Sequence, residues 1–292
     1  MVWVDLCAPF KDELVELAEE LDLHELAIED VLGPHQRPKV DRYETHLFVS
    51  TRALRLNPDV ARLEQVEVDA FVGQQWLVTV RDNDAFSVEA VVSRWDRSPD
   101  LAVHGVSYLL YGLLDVIVDG YFEVVQQFDD YYDRVSEALF SERPLAPSRQ
   151  RHWFEMRQTL TQFRRIVEPM REVVSGLTRR YHETVSDDLY PYYQDIYDHA
   201  VRIVEATDAL RDLVSTIVET SLSLRDYHNN QIMKQVTSWA AIIAVPTLIT
   251  GWYGMNVPYP GSQKVWGAIL AAVLILLLSG GLYLLFKRKD WI

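Results

Sequence analysis

The sequence predicts an α+β cytosolic domain followed by long helices and a two-helix transmembrane hairpin. Three observations carry this. The first 100 residues mix short strand-like runs with short helices, the next 130 or so have almost unbroken helical periodicity, and the C-terminal quarter holds two stretches without charge. From Gln235 through Gln263 there is no Asp, Glu, Lys or Arg, and the second stretch is uncharged from Val265 to Phe286. A bilayer core about 30 Å thick needs about 20 apolar residues in a helix.

In the first segment, residues 1–100, Val2 to Leu6 reads as a strand and Asp12 to Glu20 as an amphipathic helix. His46 to Leu56 and Glu64 to Arg81 are rich in Val, Thr, Phe and Trp, with turns at Asn57-Pro58 and Gly73-Gln74. Residues 101–190 predict an antiparallel helical hairpin. Its first helix runs from about Val103 to Phe140, Ser141 to Pro144 breaks the chain, and a second helix runs from about Ser148 to Thr184. Pro191 suits a helix start. After it no glycine or proline occurs until Pro246, so residues 191–253 predict one helix, about 90 Å long, that enters the membrane at about residue 236. Ile196, Ala200, Ile203, Thr207, Leu210, Val214, Ile217, Ser221 and Leu224 form a heptad seam on it. Its small and polar members suit a wider bundle, and packing on the chain's own hairpin is the alternative. Residues 254–264 form the loop, 265–286 the second span and 287–292 a basic tail.

Basic residues flank the spans at Arg225, Lys234 and Lys287 to Lys289, with only Lys264 in the loop. Both termini are therefore expected on the cytoplasmic side. No basic n-region precedes an apolar run at the N-terminus, so no signal peptide is expected. A single cysteine, Cys7, leaves no intrachain disulfide and no cysteine-based zinc site. The net charge of −15 argues against nucleic acid as a partner and is compatible with divalent cations. No P-loop and no nucleophile with a paired base is present, so the chain is not expected to be an enzyme.

The first span, Val236 to Tyr253, carries Thr237, Ser238, Pro246, Thr247, Thr250 and Gly251, too polar a set to face lipid on all sides. One helical face carries Asn230, Met233, Thr237, Ala240, Ala244, Thr247 and Gly251, and ends at Gly254-Met255-Asn256. Two readings fit: close helix packing through small residues, or the lining of a pore. The motif at the stripe's end favours the pore. Mg²⁺ gives up its water reluctantly, so a ring of Asn256 side-chain carbonyls and backbone carbonyls could hold the hydrated ion through hydrogen bonds.

Tyr253-Gly254-Met255-Asn256 between two C-terminal spans, the ending Lys287-Arg288-Lys289-Asp290-Trp291-Ile292, His35-Gln36-Arg37-Pro38-Lys39-Val40 after Ile28-Glu29-Asp30, and Tyr197-Asp198-His199 together resemble the CorA family of magnesium channels. The resemblance covers nearly the whole chain. It implies a homopentameric funnel in a cell membrane, with Mg²⁺ as both cargo and regulatory ligand, and with Co²⁺ and Ni²⁺ as further cargo. Gly254, Met255 and Asn256 would form the entry site, with Asn230, Thr247 and Gly251 at polar pore positions and Met233 and Val236 at an apolar constriction. Asp30 of one subunit would face Asp195 of its neighbour across a regulatory Mg²⁺, with Asp115 and Asp119 close to such sites.

Departures from the family pattern are a short N-terminal region, from which a reduced sheet is expected, a loop without an acid, Val257 in place of an aromatic, and Pro246 one position nearer to Asn256. A loop without an acidic ring predicts weaker attraction of the ion. Two alternatives stand beside the magnesium channel. One is a zinc transporter of the ZntB type, against which Met255 speaks, and the other is a non-conducting membrane-anchored scaffold.

Overall fold

The computed structural model describes residues 1–33, 37–139, 147–180, 185–255, 261 and 264–292. The chain divides into two compact units, residues 1–215 and 216–292.

The first unit is built on five strands, β1 (Val2–Cys7), β2 (Lys39–Arg42), β3 (Leu47–Asn57), β4 (Arg62–Val72) and β5 (Trp76–Arg81), in the order β1-β5-β4-β3-β2. Only the β1–β5 pair is parallel; the other three pairs are antiparallel. A parallel pair cannot close through a tight turn, and here the whole of β2 to β4 lies between its members. Asp5 and Arg81 lock it: Arg81 Nη2 donates to Asp5 Oδ2 at 2.6 Å, and Thr79 Oγ1 donates to Asp5 Oδ1 at 2.7 Å.

β3 is buried at five consecutive residues, 47 to 51, so both faces of the sheet are covered. On one face Leu14, Leu23, Ala27 and Ile28, from and between helices α1 (Lys11–Leu21) and α2 (Glu25–Leu32), pack on Phe48, Phe71, Val78 and Val80. The Glu13 carboxylate accepts from the Phe10 N–H at 2.8 Å at the start of α1, and His24 Nδ1 accepts from Leu26 N at the start of α2. Along β3 runs α4 (Val106–Leu139), whose fully buried Tyr121 donates to the Arg52 carbonyl at 2.5 Å. Asp69 on β4 is the buried acid of the sheet; burial pushes its carboxyl up to about 7, although a hydrogen bond from Ser50 acts the other way.

The helix expected from about Val103 begins at Val106 as α4, and a separate short helix, α3 (Val88–Asp96), and a 3-10 turn over Pro99–His104 precede it. Gly105, at φ 67°, makes the corner between turn and helix, a conformation that costs glycine little. The sequence reading also passed over α2 and the edge strand β2, whereas its turn at Gly73-Gln74 falls between β4 and β5. The second hairpin helix is α5 (Pro147–Arg180).

The long helix is present as α6 (Tyr190–Tyr253), 64 residues. Its seam needs correction. Ile196, Ala200, Ile203, Thr207, Leu210 and Val214 are already buried within the single chain, so this part of the heptad packs on the chain's own hairpin. Tyr193 donates to the Ser107 carbonyl of α4 at 2.8 Å, and Arg164 of α5 reaches Asp208 at 2.8 Å. Further along, Leu224 is exposed.

The second unit comprises the end of α6, the described residues of the loop, and α7 (Val265–Arg288). α7 is apolar on every side and carries exposed Val265, Ile269, Leu276, Leu277 and Leu284. Such a helix is stable only in lipid or inside a larger apolar body. At its end Phe286 stacks on Trp291 at 5.6 Å, and Lys287 and Lys289 lie over the Tyr283 and Trp291 rings. That pattern suits a membrane–water boundary.

Candidate ion pathway and acidic cluster

Asn230, Met233, Val236, Thr237, Ala240, Ala244, Thr247 and Gly251 all lie on α6 and all are exposed. Ser238 and Ile249 are buried and Ile242 and Val245 half-buried, on a face roughly 140° around the helix from the stripe. Between the two faces project Trp239, Ile243 and Trp252, large and exposed. The span thus has a covered face, flanks of large apolar side chains, and one face of small or polar residues that no described residue covers.

The chemistry of that face is an acceptor's. Thr247 Oγ1 donates to the Ile243 carbonyl at 3.0 Å, which spends its proton and leaves oxygen lone pairs outward. Thr250 does the same towards Pro246 at 2.8 Å. Away from the stripe, towards the covered face, Pro246 has no N–H, so the Ile242 carbonyl loses its helical donor. An added side chain at Gly251 would meet nothing within 4 Å, so no contact inside the chain demands glycine there.

At the end of α6 Gly254 N–H donates to the Thr250 carbonyl at 2.9 Å and Met255 N–H to the Trp252 carbonyl at 3.3 Å. The last carbonyls of a helix lack intrahelical donors and form the negative end of its dipole. A cation is favoured there without any carboxylate. Asn256, His35 and residues 257–260, Val257 among them, lie outside the described residues.

The four predicted regulatory acids separate into two places. Asp30, on α2, is held by Lys39 on β2 at 2.5 Å, and Lys39 also reaches Asp41 at 3.0 Å. Burial disfavours the Lys39 ammonium, but these two carboxylates outweigh it and hold its pKa above the usual lysine value. The other three are strung between α3, α4 and α6. Arg94 pairs with Asp115, which is 1% exposed, and lies 3.7 Å from Asp119. His199 Nδ1 is 3.6 Å from Asp119, and its Nε2 is 3.8 Å from Asp195 one turn away. Asp195 itself is largely exposed. Among the described residues no group of three or more His, Cys, Asp or Glu side chains is placed to hold a metal.

Arg94 escaped the sequence reading, and its placement has a local cause. Trp95 next to it donates to the Leu109 carbonyl at 3.1 Å and accepts from Tyr108 Oη at 2.6 Å. A side chain at Gly112 would collide with the Trp95 indole. The missing Cβ therefore lets α3 lie close on α4, which sets Arg94 over Asp115. A tryptophan and a glycine 17 positions apart are a readable pair only once the two helices are known to touch.

A cytosol-type α+β unit, long helices, two apolar helices and a polar, uncharged stripe define a two-span membrane protein of the ion-transport class. The family described as CorA-like Mg2+ transporter protein matches residues 1–288, and the chain belongs to it. It is 29% identical over 99% of its length, and 83% of the other's, to the cobalt/magnesium transport protein CorA of Thermotoga maritima. It is 21% identical over 99% of its length, and 88% of the other's, to the zinc transport protein ZntB of Yersinia pseudotuberculosis. The complete structure of the CorA magnesium transporter from Methanocaldococcus jannaschii superposes with a TM-score of 0.82 at 22% identity, covering 99% of this chain and 91% of that one.

Proposed function

We propose that this divalent cation transporter is a Mg²⁺ channel in a cell membrane. It assembles as a homopentamer in which α6 lines the pore, and both termini lie in the cytoplasm. The observation that carries the reading is the uncovered stripe of small and polar residues on α6, which runs without charge to the carbonyl end of the helix at Gly254 and Met255. Acceptors of this kind hold the water shell of Mg²⁺ and leave it in place. Gly254 and Asn256 form the outer site, Asn230, Thr237, Ala240, Ala244, Thr247 and Gly251 line the path, and Met233 and Val236 narrow it.

Transport is passive. A membrane potential of about 100 mV supplies about 2.3 kcal/mol per charge, about 4.6 kcal/mol for a divalent ion. Cytosolic Mg²⁺ closes the pore by binding between the Asp30 region of one subunit and Asp195 of the next, with Asp115 and Asp119 behind them, a shift of population by a ligand that prefers the closed state.

The test is uptake of Mg²⁺, Co²⁺, Ni²⁺ and Zn²⁺ into liposomes holding the purified protein, for wild type and Asn256→Ala. Loss of Mg²⁺ entry in the variant supports the outer site. Entry of Zn²⁺ without Mg²⁺ moves the assignment to zinc transport, which the likeness to ZntB keeps as the second reading. No entry of any ion leaves a non-conducting scaffold.

A further inference from the structure

A cavity of about 680 Å³ opens where α5 passes the edge strand β2 and the first turns of α6. Ordinary small-molecule sites have about 300–1,000 Å³. Among the described residues its charged lining is Lys39, Arg171, Arg179 and Arg180 against the acid Glu172, in a chain whose net charge is −15. With Lys39 already held by Asp30 and Asp41, the three arginines leave a surplus of two positive charges over Glu172, which stands against the general field of so acidic a protein and selects anions.

The concavity has a sequence cause. Pro169, Glu172, Val173, Gly176, Arg179 and Arg180 fall on one face of α5 at three- and four-residue spacing. Small residues at Ser175 and Gly176 leave room in the middle of that face. Among the described residues, no ion pair engages Arg171, Arg179 or Arg180, whereas Arg164, two turns earlier on the same helix, pairs with Glu168 and Asp208 at 2.8 Å. The last two arginines also complement the carbonyl end of α5. That role does not account for Arg171, which lies eight residues before Arg179.

We infer that this cavity binds a polyphosphate anion, either a nucleoside polyphosphate or a free polyphosphate chain. Arg171 and Arg179, on one helical stripe with Ser175 between them, are eight residues apart, roughly 12 Å along the helix axis, too long a stretch for one phosphate group to engage. Arginine's planar fork matches phosphate oxygens two at a time. The Tyr197 ring and the Pro38 and Pro169 rings provide the apolar wall on which a nucleobase would lie. A divalent cation alone is repelled by this lining, so the site is separate from the ion path and does not rest on the channel reading.

The experiment is calorimetric titration of the full-length protein in detergent, with EDTA present, using ATP, tripolyphosphate and adenosine as probes. ATP and tripolyphosphate bind and adenosine does not, and raising the salt weakens both, as expected for screened contacts. Replacing Arg171, Arg179 and Arg180 together by Ala lowers the ATP affinity by about tenfold or more, and replacing them by Lys restores part of it because the charge returns without the fork. Arg179 and Arg180 are exposed and Arg171 half-buried, so the fold survives; unchanged thermal unfolding of the variant checks this. ATP binding about tenfold tighter than tripolyphosphate identifies the nucleoside form, and equal binding identifies the polyphosphate chain alone. Absence of binding by both anions, undiminished binding by the alanine variant, or adenosine binding as well as ATP overturns the proposal.

Discussion

The acids near Arg94 and the stripe on α6 stand at opposite poles of self-sufficiency. Asp115, Asp119 and Asp30 each have a cation of their own chain within 4 Å, so any metal that binds there displaces or shares an existing partner. Among the described residues nothing covers the stripe; its residues are exposed from Asn230 to Gly251. Local ion pairs let the first unit fold as a monomer would, whereas under the proposed assembly other copies supply the remaining wall of the stripe. Changes in the stripe should therefore alter conduction and spare the fold, and changes at the ion pairs should act first on the fold and on the response to Mg²⁺.

The largest effect is expected from Ala244→Leu. It adds volume to a face no described residue covers, so ion uptake into liposomes should fall by about a hundredfold, about 2.7 kcal/mol, while the unfolding temperature in detergent stays unchanged. A drop in both would mean that the face packs within the chain and would erase the contrast. Arg94→Ala should act the other way: it strips a buried carboxylate of its partner and should cost about 3 kcal/mol of stability, read by denaturant unfolding. In the same variant the thermal shift produced by added Mg²⁺ should grow, since the competing cation is gone; an unchanged shift would disconnect Asp115 and Asp119 from metal.

Asp69→Asn should give a smaller, pH-dependent gain. The folded carboxyl titrates at about 7 against an ordinary 3.8. Between these values the unfolded chain has released its proton and the folded chain keeps it. Stability of the wild type therefore falls as the pH rises from about 4 to about 7 and is level above. The variant should be the more stable at pH 8, and the difference should vanish near pH 4. A constant difference across that range would show that the buried acid is not the cause. Thr247→Val keeps the shape and removes the acceptor oxygen, so Mg²⁺ uptake into liposomes should fall by about threefold, under 1 kcal/mol.

The two spans, the long α6 and most strands were readable because each follows one period or one uncharged run. The fate of the seam was not: Ala200, Thr207 and Val214 look alike whether they meet another subunit or the hairpin of the same chain. Thr207 shows why, since its hydroxyl donates to the Ile203 carbonyl at 2.6 Å and asks for no outside partner. The acids were visible as residue types, but their cations were not, because Arg94 is set by the Trp95–Gly112 contact between helices and Lys39 by an edge strand of only four residues. The motif at Gly254 and Met255 was legible as a sequence, and its helix-end carbonyls add the electrostatic reason that the letters alone lack.

Pro246 has a mechanical consequence. Loss of one rung from the hydrogen-bond ladder makes a helix more compliant to bending at that level, and Thr250, one turn beyond, ties its hydroxyl to the Pro246 carbonyl rather than to the empty rung. The outer two turns of α6, from Thr247 to Tyr253, therefore flex as a short arm on a stiffer shaft. Within the proposed ring of five, such arms widen or tighten the mouth around a hydrated ion at little elastic cost, while the narrow level at Met233 and Val236, more than two turns below, keeps its own spacing.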